Sequence, residues 1–252
     1  MTTVTAPEQI SDQALAASVD RVVSAAQAMA RPHLVDDELA VAWMAERGFY
    51  TNLAYVRRAP QDWDALLARV ASVVPAGRPV SLITPLAVPD LGPSGWQLVG
   101  NPPLMQRPAG PGTVPMPPEL TLDEVSDEPG LAVFERTLVE AYPDPTLLPY
   151  SWGCFQDGRV LGGGSHHFTA FVAGEPVGTA IGHVAAGVNL VEGISTREAA
   201  RGRGYGAALT WAATTVDPAL PAVLIASDLG RPIYERLGYA EISRWTFWHR
   251  PS

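Results

Sequence analysis

Gly202, Gly204 and Gly206 alternate with Arg203 and Tyr205, directly after Arg201, in the stretch EAARGRGYGAALT that runs from residue 198 to 210. Glycines let successive backbone N–H groups turn to one side without a side chain in the way. A helix that starts at such a loop adds more unpaired N–H groups and the positive end of its dipole. That combination holds a phosphate or pyrophosphate; the plainer reading is a tight turn. Neither familiar nucleotide loop fits. A P-loop needs Gly-Lys-Ser/Thr, and all 17 basic residues here are arginine. The dinucleotide fingerprint needs Gly-x-Gly-x-x-Gly, and here the third glycine arrives one residue early.

The loop requires a strand before it and a helix after it. VNLVEGIST, ending at Thr196, is β-rich and apolar, and AALTWAATTV continues as a helix at roughly 204–215. Upstream, a strand at 119–125 and a helix around 128–141 precede the loop YPDPTLLPYSWG. Then HHFTAFVAGEPVGTAIGHVAAG reads as two strands about a Gly-Glu-Pro turn. Downstream come the strand AVLIAS, ending at Ser227, a short helix at 229–236, and AEISRWTFWHR as one last strand.

Residues 108–118, PAGPGTVPMPP, are too rich in proline and glycine for helix or sheet and read as a linker. They divide an N-terminal α/β segment, 1–107, from a second unit, 119–252. In the first segment the spacing predicts a helix over 12–30 and a second over 36–47, ended by Gly48. FYTNLAYV follows as a strand, PQDWDALLARVASVV as a helix and PVSLITPLA as a buried strand. There is also an internal echo. PVSLIT at 79 and PAVLIA at 221 lie 142 positions apart, and GWQLVGNPPLMQRP at 95 and GYAEISRWTFWHRP at 238 lie 143 apart. It is either chance similarity or an eroded duplication, and the early strands lack a counterpart because 36–47 reads helical.

A net charge of −9 argues against nucleic acid as a partner, because phosphate backbones attract basic faces. No apolar run is long enough to span a bilayer. The N-terminus lacks the order of a signal peptide, and the single cysteine, Cys154, precludes an intrachain disulfide. A cytoplasmic protein without membrane contact is expected. No His/Cys/Asp spacing suggests a metal.

Arg201-x-x-Gly204-x-Gly206, entered from an apolar strand and leading into a helix, resembles the acetyl-CoA loop of the GNAT N-acetyltransferase superfamily. IYERLGY at 233–239 is similar to that family's second signature, a short aromatic helix closed by glycine before the final strand. The resemblance covers about residues 118–250. It implies an α/β (α+β) fold with a mixed, central antiparallel/parallel twisted sheet flanked by helices. The N-terminal α/β segment would be a degenerate half-copy of the same fold. It also implies acetyl transfer from acetyl-CoA to a primary amine of a small molecule or peptide, by direct attack in a ternary complex.

By the same resemblance, the amides of Arg201, Gly202, Arg203, Gly204, Tyr205 and Gly206 would hold the CoA pyrophosphate. Ile194, Ser195 and Thr196 would pair with the pantetheine arm, across a gap from the strand ending at Ser227. Tyr234 matches the position of the acid that protonates the leaving thiol, and its other reading is a packing residue. Glu192 is the expected base: on simple alternation it shares a face with Ile194 and Thr196. An ordinary solvent-facing glutamate is the alternative reading, and His166, His167 and His183 are alternative bases. His166 and His167 are adjacent, so at most one faces the cleft. Tyr150 and Trp152 would wall the acceptor site or belong to the core. Two rival functions stand beside this one: a non-catalytic acyl-CoA sensor, and a transferase using a longer acyl-CoA. VRRAPQDWDALL has no glycine loop, so the first segment is expected to serve as a lid or dimer surface, with a homodimer among the expected partners.

Overall fold

A computed structural model describes residues 6–142, 144–228 and 230–252. Helix α1 spans Pro7–Ala28 and starts on a proline, whose missing N–H costs nothing in a first turn. Strands β1 (His33–Val35) and β2 (Leu39–Ala42) form an antiparallel hairpin where a second helix was expected over 36–47. The physical reason lies in Asp36, whose carboxylate accepts from the N–H groups of Glu38 and Leu39. A helix cap makes the same local bonds, so the sequence alone does not separate the two. All four residues of β2 are buried, which removes the amphipathic face a helix would need.

Next come β3 (Leu53–Val56), α2 (Trp63–Val73), β4 (Val80–Thr84), β5 (Gln97–Gly100) and β6 (Pro103–Arg107). Residues 108–118 contain no helix or strand, and the Arg107 guanidinium pins their start by donating to the carbonyls of Pro108, Gly110 and Pro111. The remainder is β7 (Leu120–Glu124), α3 (Glu128–Ala141), β8 (Ser165–Val172), β9 (Glu175–Ala185), β10 (Val188–Thr196), α4 (Tyr205–Thr214), β11 (Ala222–Ile225), α5 (Arg231–Arg236), β12 (Ala240–Arg244) and β13 (Thr246–Arg250). The expected single last strand is therefore two, broken at the fully buried Trp245.

Those last two strands enter different sheets. One sheet runs β1-β2-β3-β4-β13-β5, the other β12-β6-β11-β10-β9-β8-β7. Each half thus lends one strand to the other: β6 sits between β11 and β12, and β13 between β4 and β5. The registers repeat at the separations of the sequence echo. Arg250 pairs with Val80 as Arg107 pairs with Ala222, and Phe247 pairs with Ile83 as Leu104 pairs with Ile225. Even the bulge recurs, skipping Val99 opposite β13 and Ile242 opposite β6. With β1 and β2 in place, the early strands have counterparts after all, in β8 and β9. The two halves repeat one strand order and register, with reciprocally exchanged strands.

The layers follow from apolar faces. Helix α1 lies between the sheets, its Ile10, Ala14, Val22 and Ala26 in one core with Tyr55, Ile83 and Phe247 of the first sheet and Leu190 and Val223 of the second. Burial of Ile10 and of Val22 contributes roughly 1.5–3 kcal/mol each, which helps fix α1 at this junction. Helix α2 covers the outer face of the first sheet and α4 that of the second. On β9, Gly178 and Gly182 allow the close packing: an added Cβ at Gly182 would lie 2.7 Å from the carbonyl oxygen of Ala213 on α4.

Candidate functional site

Strands β10 and β11 run parallel but pair only at Asn189–Ala222 and Leu190–Val223. Beyond these two rungs they diverge, because β10 carries a bulge between Glu192 and Ser195, with Gly193 at a φ of +59°. The bulge also breaks the simple alternation along this strand: Glu192 lies opposite Ile181 and Ser195 opposite Thr179, so Glu192 shares its face with Ser195. Ser195 Oγ is held 2.7 Å from Thr179 Oγ1. The gap opens into a cavity of about 360 Å³ that reaches α1 and the first sheet. Val191, Glu192 and Ile194 wall one side of the gap, and Leu224, Ile225 and Ser227 the other.

Tyr234 reaches this cavity from α5. Ser227 positions that helix: its carbonyl accepts from the N–H groups of Gly230 and Arg231, and its Oγ accepts from Gly230 at 3.2 Å. Burial pushes the Tyr234 hydroxyl up to about 12, so it keeps its proton at physiological pH. Among the described residues no hydrogen-bond partner engages that hydroxyl.

Below the gap, the loop after Thr196 enters α4 through Gly202 and Gly204, at φ of +78° and +86°. The Arg201 N–H is taken by the carbonyl of Glu198. Among the described residues, the N–H groups of Gly202, Arg203, Gly204, Tyr205 and Gly206 have no acceptor, and no side chain caps the helix. The Arg201 guanidinium holds the loop to its strand by donating to the Thr196 carbonyl at 3.0 Å, and the exposed Arg203 stays beside it. Tyr205 is anchored by donation to Glu119 at 2.6 Å, a bond that holds the Glu119 carboxyl below its ordinary range. The corresponding helix of the first half, α2 after β3, is different. The Asp62 carboxylate accepts from Asp64 and Ala65 N–H, so an anion of the protein's own already occupies that helix start.

The sequence-derived set is partly brought together. Glu192, Ile194, Ser227 and Tyr234 line the cavity; Gly202 to Gly206 form the loop beside it. Glu192 is ion-paired with Arg21 of α1. Tyr150 and Trp152 lie outside the cavity lining: the Tyr150 hydroxyl donates to Ala132 at 3.3 Å, and Trp152 is exposed. The aromatic wall is made instead by Tyr50, Tyr55, Tyr142 and Phe247. Burial raises the hydroxyls of Tyr50, Tyr55 and Tyr142, so the wall is uncharged. Three of those four residues come from the first half or its sheet, and no local spacing marks them. The adjacent Asp20 and Arg21, set between the apolar Val19 and Val22, are the polar interruption that could have drawn notice.

Of the histidines, His167 and His183 face the cavity, while His166 turns outward to Glu124 at 2.7 Å. Burial lowers His167 to about 4 and also lowers His183. Cys154 is free, and burial next to Glu135 pushes its thiol up to about 12, far from a reactive thiolate. Among the described residues, no cluster of His, Cys, Asp or Glu is placed to hold a metal, and no helix is long and apolar enough to cross a membrane.

Comparison with known proteins matches residues 129–239 to the Acetyltransferase (GNAT) family. No curated protein matches the chain in sequence. Among solved structures, a GCN5-related N-acetyltransferase from Kribbella flavida is similar with a TM-score of 0.68 at 22% identity, over 96% of both chains. A functionally unknown conserved protein from Staphylococcus epidermidis is similar with a TM-score of 0.59 at 13% identity, over 87% of this chain and 93% of that one. A GCN5-related N-acetyltransferase-like protein from Streptococcus suis gives 0.51 at 16%, over 91% and 92%. At these identities the likeness is one of fold.

Proposed function

We propose that the protein, whose residues 129–239 match the Acetyltransferase (GNAT) family, transfers an acetyl group from acetyl-CoA to the primary amine of a small molecule. The observation that carries this is the continuity of three features: five unpaired amides at an uncapped helix start, the gap between β10 and β11, and the protonated Tyr234 at its far end. The amides of Gly202 to Gly206 bind the pyrophosphate, and Arg203 adds charge at the rim. Gly193 and Ile194, left without rungs to β9 by the bulge, offer backbone to the pantetheine arm and a donor to the developing oxyanion. When bound, acetyl-CoA supplies an activated thioester carbonyl.

Tyr234 gives the departing sulfur its proton: its hydroxyl lies above an ordinary thiol near 8.5, so it stays protonated, and the thiolate forms with a donor beside it. The cavity of about 360 Å³ has room for roughly a dozen water-sized groups. It is closed by α1 and the first sheet and walled by tyrosines and aliphatic side chains, which favours a small, partly apolar amine over a peptide chain. The exposed Asp62-capped helix start makes the first half a wall of the acceptor site and leaves one CoA site per chain.

The test is calorimetric titration with acetyl-CoA and with CoA, followed by thiol release over a panel of small aromatic and aliphatic amines. Micromolar binding and release of CoA with at least one amine is the expected result. Binding without turnover on any amine would turn the reading into that of an acyl-CoA sensor, and absence of binding would end it.

A further inference from the structure

We propose that Ser165 and His183 take the proton from the acceptor amine, and that Asp20 of α1 holds His183 for the task, so that the first half supplies part of the catalytic machinery of the second. This rests on the acetyltransferase reading and names the base within it. Ser165 and His183 face each other across the β8–β9 ladder, and both line the cavity. Ser165 Oγ is 2.9 Å from His183 Nδ1, and His183 Nε2 is 2.9 Å from Asp20 Oδ2. The imidazole is 1% exposed, whereas the Asp20 side chain is 53% exposed. Two hydrogen bonds therefore lead from the cavity through a buried ring to solvent.

The roles follow from what each group can donate. An ionised Asp20 only accepts, so the proton of the neutral ring sits on Nε2. Nδ1 is then the acceptor for the Ser165 hydroxyl, and Ser165 Oγ is left with lone pairs directed to the cavity. An amine N–H gives its proton to Ser165 Oγ as the serine proton moves to Nδ1. The imidazolium so formed is stabilised by Asp20, keeps its Nε2 proton, and returns the Nδ1 proton through Ser165 to water as the product leaves, which restores the starting tautomer. The freed amine lone pair forms the C–N bond, the C–S bond breaks with its pair on sulfur, and a second N–H proton ends on the thiol by way of Tyr234. The balance is R–NH3⁺ and acetyl-CoA giving R–NH–acetyl, CoA–SH and one proton.

Glu192 is poorly suited to the same work, because it is engaged by Arg21 one position along the same helix. Protonating it would leave that guanidinium without its counter-charge in a half-buried place. The charged and titratable groups around His183 are Asp20 and Arg21 from α1, Glu192 from β10 and His167 from β8. Burial and Arg21 lower His183, and Asp20 and Glu192 pull it back toward the working range of a base. The ring is held by hydrogen bonds at both nitrogens, and Gly164 leaves room for it: an added Cβ there would lie 3.2 Å from its Cε1.

The experiment uses the full chain with acetyl-CoA and the best amine of the panel. Ser165→Ala is expected to lower kcat by about a hundredfold. Asp20→Asn, on an exposed side chain that lies outside the cavity, is expected to lower kcat by about tenfold or more. Neither variant should change the Kd for acetyl-CoA. Asp20→Asn should also move the acidic limb of the kcat/KM profile to lower pH, since the hydrogen-bonded carboxylate that raises His183 is gone, and Asp20→Glu should bring it partly back. A structural role for Asp20 would change stability and leave that limb where it was. A second readout needs no turnover: the midpoint of the His183 ring, followed by NMR, falls in Asp20→Asn. Wild-type kcat and an unmoved limb in both variants would overturn the relay and leave the acetyltransferase reading intact. Binding of acetyl-CoA without turnover of any amine by the wild type would overturn both, and an unmoved NMR midpoint would remove the Asp20–His183 link by itself.

Discussion

Substituting Gly204 by alanine separates what the loop does for the fold from what it does for a bound phosphate. Gly204 holds φ +86° and ψ −4° as the residue before α4, and an added Cβ would meet only Pro117 Cγ, at an ordinary 3.5 Å. Sterics are thus mild, and the cost is the left-handed backbone, about 1–2 kcal/mol for a residue with a Cβ. If the chain relieves that strain by rotating, the Gly204 N–H leaves the row of five free amides. One charge-assisted hydrogen bond to a phosphate is then lost, worth about 1.5–3 kcal/mol or roughly a 10- to 150-fold rise in Kd.

Gly77 provides the control. It lies in the turn between α2 and β4 at φ +74°, with nothing near its would-be Cβ. Gly77→Ala should show a similar drop in unfolding free energy, read by urea titration, and no change in acetyl-CoA affinity. Calorimetry with acetyl-CoA and with S-acetylpantetheine, which lacks the pyrophosphate, completes the comparison. The loss in Gly204→Ala should appear only with acetyl-CoA. A folded Gly204→Ala protein that binds acetyl-CoA as the wild type does would refute the loop assignment. An equal loss with S-acetylpantetheine would show that the effect does not pass through the pyrophosphate.

Tyr234→Phe should lower kcat by about a hundredfold while acetyl-CoA affinity stays constant; a fully active variant returns Tyr234 to packing. Because burial holds that hydroxyl at about 12, it should give the wild type no alkaline limb below that pH. Asp62→Ala removes the carboxylate that caps α2 and should cost about 1 kcal/mol in urea unfolding with no effect on acetyl-CoA binding. A gain of a second binding event in that variant would show that the first half retains a latent phosphate site. His167 is lowered to about 4 by burial, so its contribution to stability is present above its ordinary 6.5 and is lost as the pH falls through about 4. The amount is about 3 kcal/mol, and His167→Leu should unfold with that much less dependence on pH between 7 and 4; a parallel profile would contradict the buried neutral ring.

The sequence was most legible where the determinants are local. Glycines at 202, 204 and 206, a strand before them and an alanine-rich helix after them are enough for a loop of free amides, because conformational freedom and helix-end hydrogen bonding depend on a few neighbouring residues. Tyr234 is placed near the gap only through the resemblance of IYERLGY at 233–239 to a family signature, since its own spacing equally suits a packing residue. The misreading of 36–47 was also local in origin, since an Asp accepting two forward N–H groups serves a hairpin turn as readily as a helix cap.

By itself the sequence determined the order of elements around the glycine stretch; it left that stretch as a phosphate loop or a tight turn, and the echo at 142 and 143 positions as duplication or chance. Tertiary structure decided which sheet each final strand joins. An apolar strand such as WTFWHR carries a pattern that satisfies any neighbour of suitable register, and its choice of β4 and β5 is made by contacts far away along the chain. That exchange, with α1 laid between the two sheets, brings Arg21 to Glu192, Asp20 to His183 and Phe247 to the cavity wall. None of these partners is within reach of a local pattern, because the pairing depends on burial across an interface that exists only once both sheets have formed.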